Sequence, residues 1–191
     1  MNDPPKGRLA IISGPSGAGK TTVVHALLER CDLPLELSVS ATTRPRRQGE
    51  VDGVDYYFLD SAEFQRRQAL GGFLESCEVF GHGYLYGTLA EPVSTSLQAG
   101  KWVILEIDVE GAMKVVTQHQ NVITIFIGSG SLAELERRLR GRGTESEASI
   151  QRRLDVARRE LGYVNRYQHN VVNDDVEATA DGLCRILKGY C

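Results

Sequence analysis

The chain is poor in several things at once. It has one Trp, four His and four Cys in 191 residues, and only five of its 22 basic residues are Lys. Cys31, Cys77, Cys184 and Cys191 are scattered, without a C-x-x-C pair. Neither they nor the His show metal-ligand spacing, which argues against a structural zinc module and leaves free thiols as the expectation. No signal-like leader and no apolar run of transmembrane length is present. A cytoplasmic protein that does not engage membranes is therefore expected. The net charge of −3 argues against a general nucleic-acid binder. Repeats and low-complexity tracts are absent as well.

What is present fits an ordinary globular protein: 41% hydrophobic and 25% charged residues. The length suits one domain with mobile lobes and a real core. Arginine supplies 17 of the basic residues, and it prefers planar two-point contacts with carboxylates and phosphates.

The most informative stretch is Gly14-Pro15-Ser16-Gly17-Ala18-Gly19-Lys20-Thr21, which fits the phosphate-binding pattern G-x-x-x-x-G-K-[ST]. Leu9 to Ile12 reads as a buried strand before it. Thr22 to Arg30, with Val23, Val24, Leu27 and Leu28 at helical spacing, reads as a helix after it. The glycines let successive N–H groups turn inward on a phosphate, and the helix start adds its dipole. Lys20 would reach the β- and γ-phosphates of a nucleotide, the Thr21 hydroxyl would ligate Mg²⁺, and Thr22 adjoins the site.

Beyond this loop, Leu35, Leu37 and Val39 alternate as a strand, and Ser38–Glu50 is polar and basic and is expected to stay out of the core. Asp55–Leu59 and Phe73–Phe80 read as strands around a short helix near Ser61–Leu70, capped by Asp60 or Ser61. Lys101–Asp108 is a buried strand with acids at its C-terminal end, where ligands of open α/β sheets lie. Helices are expected at 109–118, 131–140, 149–161 and 175–188, and strands at 122–127 and 171–172. The alternation predicts an α/β protein: a P-loop NTPase-type parallel sheet flanked by helices, with an inserted mixed α/β lobe and a helical lid. The expected core is 8–40, 98–129 and 162–191, the lobe 41–97 and the lid 130–161.

Two groups of polar residues carry further chemistry. Phosphoryl transfer is catalysed by positioning and cationic stabilisation, and Arg138, Arg142 and Arg153 lie on a hinged segment able to supply it. Arg137, Arg140, Arg152 and Arg159 read as a solvated face balanced by Glu134, Glu136, Asp155 and Glu160. Arg44, Arg47, Tyr56 and Tyr86 offer donors for a second phosphate. Glu75, in an apolar strand, could accept two hydrogen bonds from a guanine edge, with Ser40 and Thr88 donating to a carbonyl oxygen.

The ordered set formed by the phosphate loop, Ser38–Arg44, Gly49–Tyr56, Phe73–Glu75, Tyr86–Thr88, Leu105–Ala112, Arg138–Thr144 and Val172–Asp175 resembles guanylate kinase over nearly the whole chain. The resemblance implies ATP + GMP ⇌ ADP + GDP with Mg²⁺, and a GMP-binding lobe and lid that close on the substrates. Ser40, Glu75, Thr88 and Asp108, with Glu106 beside it, would then face the guanine side. Arg44, Arg47, Tyr56 and Tyr86 would hold the GMP phosphate. Lys20, Arg138, Arg142 and Arg153 would act on the transferring phosphates, and Asn173 would approach the adenine side of ATP. Two departures leave choices open. The family pattern Arg-x-Pro-Arg is here Arg44-Pro45-Arg46-Arg47, so Arg46 competes with Arg47. The turn Gly81–Tyr86 is longer than usual, so Tyr84 competes with Tyr86. A scaffold module of guanylate kinase-like type would have a degraded phosphate loop. A ribose bisphosphate kinase would have no use for a base reader.

Overall fold

The structure, a computed structural model, describes residues 7–78, 83–141 and 146–191. In chain order the elements are β1 (Leu9–Ser13), α1 (Lys20–Arg30), β2 (Leu35–Leu37), β3 (Ser40–Thr42), β4 (Tyr57–Phe58), α2 (Ser61–Ala69), β5 (Phe73–Glu78), β6 (Leu85–Leu89) and α3 (Ala90–Gln98). There follow β7 (Trp102–Glu106), α4 (Val109–Gln118), β8 (Ile123–Gly128), α5 (Leu132–Gly141), α6 (Glu147–Leu161), a 3₁₀ turn (Val164–Arg166), β9 (His169–Val172) and α7 (Val176–Lys188). The strands sort into a five-stranded sheet, order β2-β7-β1-β8-β9, and a four-stranded sheet, order β4-β3-β6-β5. The chain divides into two compact units.

One unit holds residues 10–35, 106–109 and 123–191. Its strands are apolar runs because both faces are covered: every residue of β1 and β8 is buried. β1 pairs parallel with β8 (Ile12 opposite Ile125), and β8 pairs parallel with β9 (Ile127 opposite Val171). α7 starts where Asp175 accepts a hydrogen bond from the Ala178 amide, and it buries Ala180, Leu183 and Leu187 on one face. α1 lies along α7, tied by Arg30 to Asp181 at 2.9 Å. Leu135 and Leu139 of α5 interlock with Ile150, Leu154 and Ala157 of α6 in a small separate core.

One expectation fails in this unit. Cys31 and Cys184, expected as free thiols, form a disulfide with Cα atoms 5.6 Å apart. Cys31 caps the end of α1 and Cys184 faces it from α7, a pairing across 153 residues that no local spacing could signal.

The other unit holds residues 36–105 and 110–122, together with the stretch before Ala10. β3 runs antiparallel to β6, and β6 antiparallel to β5. Phe64 of α2 is fully buried against Ala41 and Leu89, with Phe73 stacked on it at 4.4 Å between ring centres. Asp60, not Ser61, caps α2. The run Ser38–Glu50 does enter the interior: Ala41 and Thr42 are buried, and Arg44 is only 8% exposed. Local pairing allows it. The Thr42 hydroxyl donates to the Leu85 carbonyl and accepts from the Arg44 amide. β6 and α3 also go beyond the sequence reading, which placed nothing regular between Leu85 and Gln98.

Candidate functional site

The phosphate loop connects β1 to α1, as its mechanism requires. Gly14 has φ +145°, and a Cβ there would meet the Ile127 carbonyl oxygen at 2.0 Å. Gly19 has φ +84°, with the Asn173 amide nitrogen 2.6 Å from where its Cβ would be. Neither position accepts a side chain, so the loop's curvature is fixed by sequence and by its neighbours. Pro15 and Ala18 are buried within it, while Ser16 and Gly17 are partly exposed. Lys20 Nζ donates to the carbonyls of Gly14 (2.6 Å) and Pro15 (3.1 Å), bracing the loop as a ring around its own cation. Burial of the ammonium lowers its pKa, and Glu160, Glu106 and Asp108 oppose that shift. The exposed Thr21 donates its hydroxyl to Glu106 at 2.7 Å, and Thr22 is exposed beside it. Glu106 and Asp108 thus lie at the phosphate loop.

The residues of α5 and α6 reach the same loop. Arg153 Nη1 donates to Ser16 Oγ at 3.2 Å. Arg138 donates to Glu134 (2.7 Å) and to the backbone carbonyl of Asn173 (2.8 Å). Asn173 is a buried brace: its amide donates to the Ala18 carbonyl at 2.8 Å and accepts from Thr179. Arg142 lies outside the described residues. Arg137 pairs with Glu134, and Arg140 with Glu136 and Glu147, on an exposed face. Glu160 does not belong to that face. Burial pushes its carboxyl up to about 7, with Lys20 pulling it back.

In the other unit the strand register assembles a second polar site. Ser40, Thr88 and Glu75 are opposite one another on β3, β6 and β5, and Thr42, Tyr86 and Cys77 form the next row. Side chains at matching positions share a face of the sheet. Glu75 is 7% exposed and accepts a 2.8 Å hydrogen bond from the Thr88 hydroxyl. Arg44 lies over the rings of Tyr56 (5.4 Å) and Phe58 (5.7 Å), and the rings of Tyr56 and Tyr86 meet edge to face at 5.9 Å. Glu50 grips Arg44 through both carboxylate oxygens, at 2.7 and 3.0 Å, and accepts from the Arg47 amide. That grip and the Tyr86 hydroxyl hold the guanidinium pKa up. Tyr86 therefore joins Arg44, whereas Tyr84 is 37% exposed. The side chains of Arg46 and Arg47 are both exposed. Glu50 and Phe58 were not anticipated as site residues, although Glu50 stands within the quoted sequence block.

Comparison with known proteins gives the family of this chain. The family model for guanylate kinase matches residues 6–190. The chain belongs to the guanylate kinase family. A relative named guanylate kinase from Rhodopirellula baltica is 54% identical, covering 98% of this chain and 94% of its own. One from Clostridium perfringens strain SM101 is 49% identical, over 95% of this chain and 83% of its own. The crystal structure of guanylate kinase from Anaplasma phagocytophilum superposes with a TM-score of 0.78 at 34% identity, covering 97% of this chain and 86% of that one. Family membership settles the α/β P-loop fold class and makes the chain a nucleotide-binding kinase.

Proposed function

We infer that the chain transfers the γ-phosphoryl group of ATP to GMP, giving ADP and GDP. The observation that carries the acceptor side is the row Ser40–Thr88–Glu75, a buried carboxylate with one hydroxyl bonded to it and a second next in the row. Guanine presents N1–H and an exocyclic amino group together, and a carboxylate accepts both. Arg44, Tyr56 and Tyr86 take the GMP phosphate, with Arg47 nearby in sequence. Lys20 and the amides of Gly14–Thr21 take the donor phosphates, and Arg138, Arg142 and Arg153 stabilise the charge that spreads over the transferring group. Asn173 serves the donor by holding the loop through Ala18. In this reading 41–97 is the acceptor lobe and 130–161 the lid.

The hydroxyl of Thr21 beside the Glu106 carboxylate is a hard-oxygen pair that suits Mg²⁺. Thr21 and Glu106 would hold the ion, which when bound would supply positive charge against the negative charge of the phosphates. We place the reaction in the cytoplasm, without nucleic acid or membrane as partner; among the described residues no helix is long and apolar enough to cross a membrane. The experiment is an ADP-release assay with GMP, AMP, CMP, UMP and a ribose bisphosphate as acceptors. GMP should exceed the others by at least about a hundredfold in kcat/KM. Equal turnover of AMP, or preference for the ribose bisphosphate, would overturn the assignment.

A further inference from the structure

The two cysteines of the disulfide belong to a larger group that the transfer reaction does not call for. Among the described residues, Cys31, Asp32 and Cys184 are the one set of His, Cys, Asp or Glu whose ligand atoms converge. Both sulfurs and a carboxylate oxygen lie within 4.8 Å of one another. Cys31 is 8% exposed, Cys184 is half-buried and Asp32 faces solvent. The group straddles two helices of one unit: Cys31 is the C-cap of α1, and Cys184 stands one turn before the end of α7 at Lys188. Helix C-termini carry partial negative charge, which favours a cation there. Lys188 donates to Asp32 Oδ1 at 2.6 Å, and this contact holds the carboxyl below its usual range. The carboxylate is therefore ionised and has a second oxygen to offer.

A disulfide suits an oxidising compartment, whereas converging cysteines in a reducing one are more often metal ligands or catalytic groups. Spacing along the chain hid this group, because its two sulfurs are 153 residues apart. Zinc takes thiolates at about 2.3 Å and a carboxylate oxygen at roughly 2.1 Å in a tetrahedron, which sets two sulfurs about 3.8 Å apart. With the Cα atoms at 5.6 Å, rotation about the two Cα–Cβ bonds brings thiolates to that separation. The fourth position falls to water, on the side where Asp32 is exposed. Two thiolates and a carboxylate leave a divalent cation with one net negative charge. Lys188 already stands beside the carboxylate to offset it, as outer partners of metal ligands do. Mg²⁺ prefers hard oxygen ligands, so it does not compete at sulfur.

We propose that Cys31, Cys184 and Asp32 form a zinc site in the reduced chain, where the metal replaces the disulfide as the clamp between α1 and α7. The site needs the reduced state and does not depend on what the phosphate loop binds. A dithiol supplies the two electrons. Its S–H protons pass to Cys31 and Cys184 as their S–S bond opens, and its own sulfurs join in a disulfide. Zn²⁺ then displaces both thiol protons to solvent and forms two Zn–S bonds and one Zn–O bond. α1 begins at the phosphate loop with Lys20, so either clamp fixes the far end of the helix that carries this lysine.

The test uses the full chain carrying Cys77→Ser and Cys191→Ser, which removes the two thiols outside the group. This parent is reduced with a dithiol, freed of it without oxygen, and titrated with Co²⁺ while the thiolate-to-cobalt charge-transfer band is followed. One Co²⁺ per chain should produce the band, and one Zn²⁺ should abolish it. The same chain left oxidised should give none. Cobalt at the oxygens of Thr21 and Glu106 has no thiolate band, so the two sites are told apart. Asp32→Asn should weaken Co²⁺ binding about tenfold or more, and Cys184→Ser should lose the stoichiometric band. One equivalent of Zn²⁺ should raise the Tm of the reduced parent and leave that of the oxidised parent unmoved. A reduced parent without the band, a band that survives Cys184→Ser, or Asp32→Asn binding as tightly as the parent overturns the site. A Tm that zinc does not raise overturns the clamp. Should Cys184→Ser fail to fold, the parent and Asp32→Asn decide.

Discussion

Lys20 and Arg44 are the cations that the proposed reading sets against the two phosphates, yet the two units hold them in opposite ways. Lys20 is seated on neutral carbonyls of its own loop, with carboxylates acting on it from around, and burial lowers its pKa. Arg44 is locked by two parallel hydrogen bonds to Glu50 and flanked by two aromatic rings, and its pKa is raised. An ammonium is a point charge that changes partners readily, whereas a guanidinium is a fixed fork with donors to spare. In the proposed reading the donor site thus has a cation that can follow a phosphate as it is transferred, and the acceptor site has one that keeps a phosphate still.

Three changes bear on this comparison, in decreasing order of effect. Lys20→Met removes the mobile charge and should lower kcat by about a thousandfold or more while circular dichroism stays normal. Near-wild-type turnover would refute the role of the loop. Arg44→Lys keeps the charge but loses the fork, the grip on Glu50 and the stacking. The kcat/KM for GMP should fall by roughly 30-fold with KM for ATP unmoved. If both substrates weaken together, the two cations do not divide the work as described.

The third change is in stability. The Glu160 carboxyl titrates at about 7 in the fold against an ordinary 4.5, so the folded state binds its proton more tightly than the unfolded chain does. That contribution is complete below pH 4.5 and is lost as pH rises through 7. Between pH 5 and pH 8 the wild type should lose roughly 2 kcal/mol relative to Glu160→Gln in denaturant unfolding. A difference that does not change with pH would mean that the carboxylate is solvated.

The phosphate loop was legible because its chemistry is local: glycines, Lys20 and Thr21 are adjacent in sequence, and β1 and α1 flank them with unambiguous periodicity. The proposed acceptor site stood in the sequence only as scattered polar residues until β3, β5 and β6 brought Ser40, Glu75 and Thr88 into one row. The segment Ser38–Glu50 looked like surface because its composition is polar. Its interior place depends on Glu50 and two rings arriving to satisfy Arg44, which composition does not reveal. Glu160 was misread for a related reason: its helix carries exposed charges on every turn, and only the fold shows which one turns inward. The Cys31–Cys184 bridge was out of reach, since it depends on α1 lying along α7.

The central claim is that Glu75 reads guanine, and acceptor preference in Glu75→Gln tests it most directly. The substitution keeps the shape but sets an amide donor against one of guanine's two donors, and the hydrogen bond from Thr88 can persist on the remaining oxygen. IMP lacks the exocyclic amino group and so has less to lose. Measured as kcat/KM for GMP and IMP in both proteins, the preference for GMP should shrink by about tenfold, the equivalent of one charge-assisted hydrogen bond. If GMP and IMP fall by the same factor, or neither falls, Glu75 is a structural partner of Thr88 and the base is read elsewhere.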